Sequence, residues 1–191
     1  MRKIMQFLIN IVFCHLLYRV KYKNLEIVNE FNKCILCPNH SNIFDPVWIY
    51  AKVDKMSMMA KSELFENKFI GGALRFFGAF PIRRGKKDAK SLLHAIHILQ
   101  DNEKARLLIF PEGGILKIED RRHKITDGPS YIASKTEVPI IPVYITENPK
   151  LFSKIKITFG NPLYITKEER KNKEKLTERS QELLKAIYEM E

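Results

Sequence analysis

Cysteine is scarce in this sequence. There are three among 191 residues, an odd number, and Cys14 lies inside an apolar N-terminal run. A disulfide framework is therefore excluded, and a reducing compartment fits. Cys34 and Cys37 form a C-x-x-C with His40 three positions on, but no second cysteine pair exists to complete a zinc site. An offset of three along a strand also sends the two sulfurs to opposite faces, so the pair reads as small apolar core and no metal is expected. Repeats and low-complexity linkers are missing, and a 45% apolar fraction excludes a disordered chain. The length suits one domain with a single substantial core.

An uninterrupted apolar stretch of the ~20 residues that a bilayer-crossing helix requires is also missing. The run Met1 to Val20 is broken by Gln6, Asn10 and His15 and has basic residues at both ends. No small-residue cleavage site follows it, which argues against a removable signal peptide. Flanking cations and embedded aromatics suit a helix lying in the membrane interface or dipping into one leaflet. A buried N-terminal helix of the same domain is the competing reading.

Acids are in the minority, 22 against 33 Lys and Arg, for a formal charge of +11. Residues 1–24 contain no acid and carry +5, and residues 75–90 set Arg75, Arg83, Arg84, Lys86, Lys87 and Lys90 against Asp88 alone. Two basic clusters point to anionic surfaces or phosphate ligands. Nucleic acid would use the charge equally well. It prefers aromatics interleaved with the cations, however, whereas these clusters flank apolar helices and no nucleic-acid motif is visible.

Along the chain, strands are predicted at Leu25–Val28, Cys34–Cys37, Ser57–Ala60, Ala79–Ile82, Arg106–Phe110, Pro139–Ile145 and Lys154–Phe159. The last alternates charged and apolar residues as an edge strand would. Helices are predicted across Lys61–Phe77, loosened at Gly71-Gly72, and at Asp88–Gln100 and Pro129–Lys135. A charged amphipathic helix runs from Lys167 to the end. The alternation indicates an α/β domain, a mixed, largely parallel sheet flanked by helices, with an N-terminal interfacial helix.

Three predicted strand ends carry unusual polar residues. After Cys34–Cys37 comes Asn39-His40-Ser41-Asn42-Ile43-Phe44-Asp45, a polar turn into a helix that Ser41 or Asn42 would cap. His40 and Asp45, five apart across that turn, can bring imidazole and carboxylate within hydrogen-bond reach. The carboxylate would fix the tautomer, leaving the other ring nitrogen to take a proton from a substrate hydroxyl. After Ala79–Ile82 come Arg83 and Arg84, whose guanidinium forks match phosphate oxygens. After Arg106–Phe110 come Glu112, Gly113 and Gly114. The glycines would leave backbone N–H groups open as an oxyanion or phosphate cradle, and Glu112 would orient an arginine or a ligand hydroxyl. Each taken singly is equally an ordinary turn; all three at strand ends favour one ligand crevice. Phe44, Trp48, Phe76 and Phe77 could line an acyl channel, but most read more simply as core, and His94 and His97 as a solvated helix face.

In order, Asn39-His40-x-x-x-x-Asp45, then Gly78-Ala79-Phe80-Pro81-Ile82-Arg83-Arg84-Gly85, then Phe110-Pro111-Glu112-Gly113, then Val138-Pro139-Ile140-Ile141-Pro142-Val143 resembles the glycerolipid acyltransferase family across roughly residues 30–165. The resemblance implies a membrane-associated enzyme on the cytoplasmic face. It would move a fatty acyl group from acyl-carrier protein or acyl-CoA to a lysophospholipid hydroxyl, lysophosphatidic acid in the family's type member. No cofactor, metal or nucleic acid is implied. Carried over, His40 is the general base, Asp45 its orienter, Arg84 the phosphate grip, and Glu112 and Gly113 acceptor-binding, with Arg83 and Gly114 beside them. Residues 1–22 would be the membrane-associating helix and 23–191 the acyltransferase domain. Gly114 departs from the family's Thr or Ser, and Ile125-Thr126-Asp127-Gly128 from its Phe-Lys-x-Gly, so the acceptor is less defined than the reaction. A non-catalytic lipid-binding module is the alternative class, but it gives no reason for His40 and Asp45.

Overall fold

The computed structural model describes residues 2–83 and 88–191. Seven strands form one sheet: β1 (Arg19–Lys23), β2 (Lys33–Pro38), β3 (Met56–Lys61), β4 (Ala79–Ile82), β5 (Ala105–Leu108), β6 (Ile140–Ile145) and β7 (Lys154–Phe159). Their order is β1-β7-β6-β2-β5-β3-β4. From β6 to β4 all neighbours are parallel, β7 runs antiparallel to β6, and β1 runs parallel to β7. The expected mixed, largely parallel sheet is thus present. Its central strand β2 is buried on both faces from Cys34 onward, which is why its sequence is continuously apolar rather than alternating.

The core has two halves, one on each face. Cys34, Leu36, Trp48, Val143 and Ile157 share one cluster with the N-terminal segment packed on it. Ile35, Cys37, Leu99, Ile132, Leu183 and Ile187 share the other, covered by the helices Ala89–Asp101, Gly128–Thr136 and Lys173–Tyr188. The C-x-x-C sulfurs fall in different halves, and burial pushes the Cys34 thiol up to about 12. Phe44 and Phe77 pack against the first half, with Trp48 fully buried inside it.

Four expectations are corrected. Leu25–Val28 is no strand; a short helix, Ile27–Glu30, stands there, and the strand lies earlier at Arg19–Lys23, where charged and apolar residues alternate. That strand covers Lys154–Phe159, so the predicted edge strand is interior and β1 is the edge. The tail is two helices, Lys167–Lys171 and Lys173–Tyr188, because Asn172 stops the first and caps the second by accepting from Glu174 and Lys175 N–H. Finally, the helix after His40 starts at Asp45 with no side-chain cap; Asn42 accepts instead from Phe44 N–H, within the turn.

The N-terminal segment is an α-helix, Arg2–Ile9, continued by a π-helical stretch, Asn10–Leu16. Gln6 ties it to the carbonyls of Tyr50 and Val53, at the far end of the helix Asp45–Tyr50. Among the described residues, no helix is long and apolar enough to cross a membrane.

Candidate active site

Because β2, β3, β4, β5 and β6 run in one direction, their carboxyl ends share one rim, where open α/β sheets hold ligands. His40 leaves β2 and Glu112 follows the adjacent β5. Glu147 and Asn148 follow β6, on the other side of β2.

His40 Nδ1 lies 2.9 Å from Asp45 Oδ2, and the ring stacks on Phe110 with centroids 3.8 Å apart. The same Oδ2 accepts the backbone N–H of Ser41 at 2.8 Å and of Asn42 at 2.9 Å. A carboxylate oxygen receiving two N–H groups from the turn can only accept from His40. Nδ1 therefore carries the ring proton, and Nε2 is left with a lone pair. Asp45 is fully buried and His40 8% exposed, so the ring is presented at the surface by one edge. Among the described residues, no Ser or Cys side chain bonds to the His40 ring.

The turn holding His40 is pinned on three sides. Asn39 is fully buried and makes two bonds to the Ile145 backbone, giving Nδ2–H to its carbonyl at 2.9 Å and accepting its N–H at 2.7 Å. Ser41 Oγ accepts from Asn148 N–H at 3.1 Å. Both oxygens of Glu112 stand 3.4 Å from the His40 backbone nitrogen. Glu112 is 1% exposed and also accepts from the Tyr188 hydroxyl at 2.8 Å. Burial raises its carboxyl to about 7, against the lowering effect of the Tyr188 and His40 bonds. Glu112 thus accepts from the Tyr188 hydroxyl and stands against the His40 backbone, with the Arg121 charge also acting on it.

Gly113 has φ +79, a conformation that favours glycine, and its N–H closes the turn on the Phe110 carbonyl at 3.1 Å. The expectation of an open N–H at Gly113 is therefore corrected: in this structure the group is already used. Gly114 is buried beside it. Arg83 stands apart at the end of β4, three strand spacings or about 14 Å from β2. Its side chain is exposed, with Nε 3.9 Å from Asp88 Oδ2, and its N–H donates to that oxygen. Ser62, Phe80, Arg83, Lys90, Ser91 and His94 line a cleft of about 430 Å³ there. The candidate phosphate grip Arg84 lies outside the described residues.

Several residues of the site had no motif to announce them. Arg121 is buried, pairs with Glu147 at 3.0 Å and donates to Asn148 Oδ1 at 3.2 Å and to the Leu116 carbonyl. It closes the short helix Ile118–Arg121 within the highly charged stretch 117–127, where any one cation reads as solvated in sequence. Tyr188 is visible in sequence only as an apolar-face residue of the last helix.

A buried His–Asp pair at the carboxyl rim of a mostly parallel sheet is an arrangement able to take a proton from a hydroxyl brought to the second ring nitrogen. The family model described as Acyltransferase matches residues 19–146, two thirds of the chain. The chain belongs to that family. The 1-acyl-sn-glycerol-3-phosphate acyltransferase of Streptococcus pneumoniae is 31% identical over 163 residues, 80% of this chain and 59% of its own length. That of Helicobacter pylori is 30% identical over 144 residues, 73% and 60% respectively. The chain thus spans about three fifths of the length of these relatives. The crystal structure of the 1-acyl-sn-glycerophosphate acyltransferase of Thermotoga maritima superposes with a TM-score of 0.61 at 21% identity, over 88% of this chain and 72% of that one, a likeness of fold.

Proposed function

We propose that this protein transfers a fatty acyl group from a thioester, acyl-carrier protein or acyl-CoA, to the free hydroxyl of lysophosphatidic acid, giving phosphatidic acid in phospholipid synthesis. The observation that carries this reading is the buried His40–Asp45 pair, whose carboxylate holds Nδ1 and leaves Nε2 for a substrate proton. The names of the relatives support the acceptor. His40 Nε2 takes the proton of the acceptor hydroxyl as its oxygen attacks the thioester carbonyl carbon. The tetrahedral oxyanion then collapses, the C–S bond breaks, and the imidazolium returns its proton to the departing thiolate. Asp45, fixed by two backbone N–H groups, faces the positive ring formed in between.

The acceptor would be met at an anionic membrane surface on the cytoplasmic side. Ile4, Phe7, Leu8 and Leu16 of the N-terminal segment are all about half exposed or more, and basic residues bracket them. Attachment would rest on the helical part up to Leu16, since Arg19–Lys23 belongs to the sheet.

The test is acyl transfer in detergent by wild type and His40→Ala, with a panel of lysophospholipids against both donors. Gly114, where family members carry Thr or Ser, is the reason for a panel. Lysophosphatidic acid should be the best acceptor, and His40→Ala should lose ~10²–10⁴-fold in kcat while keeping its fold. An active His40→Ala enzyme would end the mechanism; a better acceptor would replace lysophosphatidic acid.

A further inference from the structure

We propose that Tyr188, on the C-terminal helix, is a positioning residue for the catalytic base: its hydroxyl holds the Glu112 carboxylate in the orientation that accepts the His40 backbone N–H. This rests on the reading of His40 given above. Residue 188 lies outside the family match, which ends at 146, so this part of the site is assembled by a segment that the matched sequence does not contain.

The geometry is a three-part relay. The phenol donates to Glu112 Oε1 at 2.8 Å, and both carboxylate oxygens stand 3.4 Å from His40 N. The first bond is short and charge-assisted, and the other two are long. The strong bond therefore fixes the carboxyl plane, and the His40 N–H is read from that plane. Sequence separations of 76 and 72 residues span the relay, so no local backbone preference can substitute for it. Tyr188 is itself held from two sides: the Arg122 guanidinium sits 5.0 Å over its ring, and Tyr144 meets it edge-on at 6.3 Å. Burial and the neighbouring Glu112 carboxylate push its phenol well up, so it remains a donor throughout the working pH range.

Glu112 is the titrating member of the relay. The groups facing it are Tyr188 from the last helix, the His40 backbone from the β2 end, Arg121 from the short helix Ile118–Arg121 and Glu147 from the β6 end. With its carboxyl raised to about 7, the carboxylate needs the Tyr188 donor to stay an acceptor near neutrality. Protonation would turn one of the two oxygens facing the His40 N–H into a hydroxyl, a weaker acceptor than a carboxylate oxygen.

Tyr188→Phe tests this, because it keeps the ring under Arg122 and removes only the donor. In a 1H–15N titration of the full chain in detergent, the His40 backbone amide should titrate with Glu112, with a midpoint near 7 in wild type and about one unit higher in Tyr188→Phe. This readout needs no turnover, so it stands even if the acyltransferase reading fails. In turnover assays, Tyr188→Phe should lose about fivefold in kcat at pH 7 with little change in acceptor KM, and recover most of the loss at pH 8.5. A His40 amide whose titration is unchanged by Tyr188→Phe overturns the proposal, as does a loss of kcat that is the same at every pH.

Discussion

Replacing Asp45 by Asn isolates the carboxylate's charge, because the turn dictates how the new side chain must sit. Asp45 Oδ2 receives three donors, Ser41 N–H, Asn42 N–H and His40 Nδ1–H, all within 2.9 Å. Oδ1 is buried and, among the described residues, has no hydrogen-bond partner. An Asn amide therefore places its oxygen at the Oδ2 position, since the flipped amide would face two fixed backbone donors with a third and fourth hydrogen. The turn and the His40 tautomer both survive, and an unpaired NH₂ occupies the Oδ1 position at a stability cost of about 1–3 kcal/mol. What disappears is the negative charge opposite the imidazolium formed during proton transfer. At an effective dielectric constant of 20, two charges about 4 Å apart interact by about 4 kcal/mol, which corresponds to roughly a thousandfold in rate. Asp45→Asn should thus show kcat lowered about 10³-fold in a thioester-consumption assay, acceptor KM within about threefold of wild type, and a melting temperature lowered by several degrees. Asp45→Ala should be less stable than Asp45→Asn, as it also leaves the Ser41 and Asn42 N–H groups unpaired. A kcat for Asp45→Asn within tenfold of wild type would refute the role given to the charge.

Glu112 makes stability fall with rising pH, opposite to most carboxylates. Its folded-state carboxyl titrates at about 7 against an ordinary 4.5, so the unfolded chain binds fewer protons between those values. Stability present below pH 4.5 is lost as pH rises through 7, by an amount on the order of 3 kcal/mol. Urea midpoints at pH 5 and pH 8 should diverge in wild type and converge in Glu112→Gln; equal pH slopes in the two proteins would contradict it. At the other end of the chain, Phe7→Asp should reduce sedimentation with vesicles containing anionic lipid while leaving the fold intact, because Phe7 is 63% exposed. Unchanged sedimentation would remove residues 2–16 from the membrane contact.

Much of the fold was legible because each central strand is a short apolar run between polar turns, and Ala79–Ile82 and Lys154–Phe159 were placed to the residue. The His40–Asp45 pair was legible for the same reason: the partners are five apart, so one turn suffices to join them. β1 was not, although Arg19–Lys23 alternates, because its charges read as the flank of an apolar helix. Its partner, Lys154–Phe159, lies more than 130 residues away, and no local pattern announces that pairing. Arg121 and Tyr188 share this difficulty. Arg121 is one of several cations in a charged stretch, and only the fold brings Glu147 and Asn148 to it. Tyr188 occupies an apolar-face position at helical spacing, where burial accounts for it fully until Glu112 is seen at its hydroxyl.

The distribution of these bonds bears on how the site works. Asn39 is held by β6, the His40 backbone by Glu112, the His40 ring by Asp45, and Ser41 by Asn148, four consecutive constraints from four places on the chain. Asn148 is in turn held by Arg121, itself fixed by Glu147. Proton transfer from a hydroxyl requires Nε2 within about 0.5 Å of its productive position, and a turn anchored only through its own backbone would not hold that tolerance. His40 is thus over-determined by the fold itself. The Arg83 end of the rim is built differently, with an exposed guanidinium 3.9 Å from its carboxylate. Under the proposed function, a fixed His40 beside an exposed cation at β4 would let one proton transfer serve acceptors whose headgroup is gripped at a distance. On that division of labour, acceptor preference can change along β4 without disturbing His40.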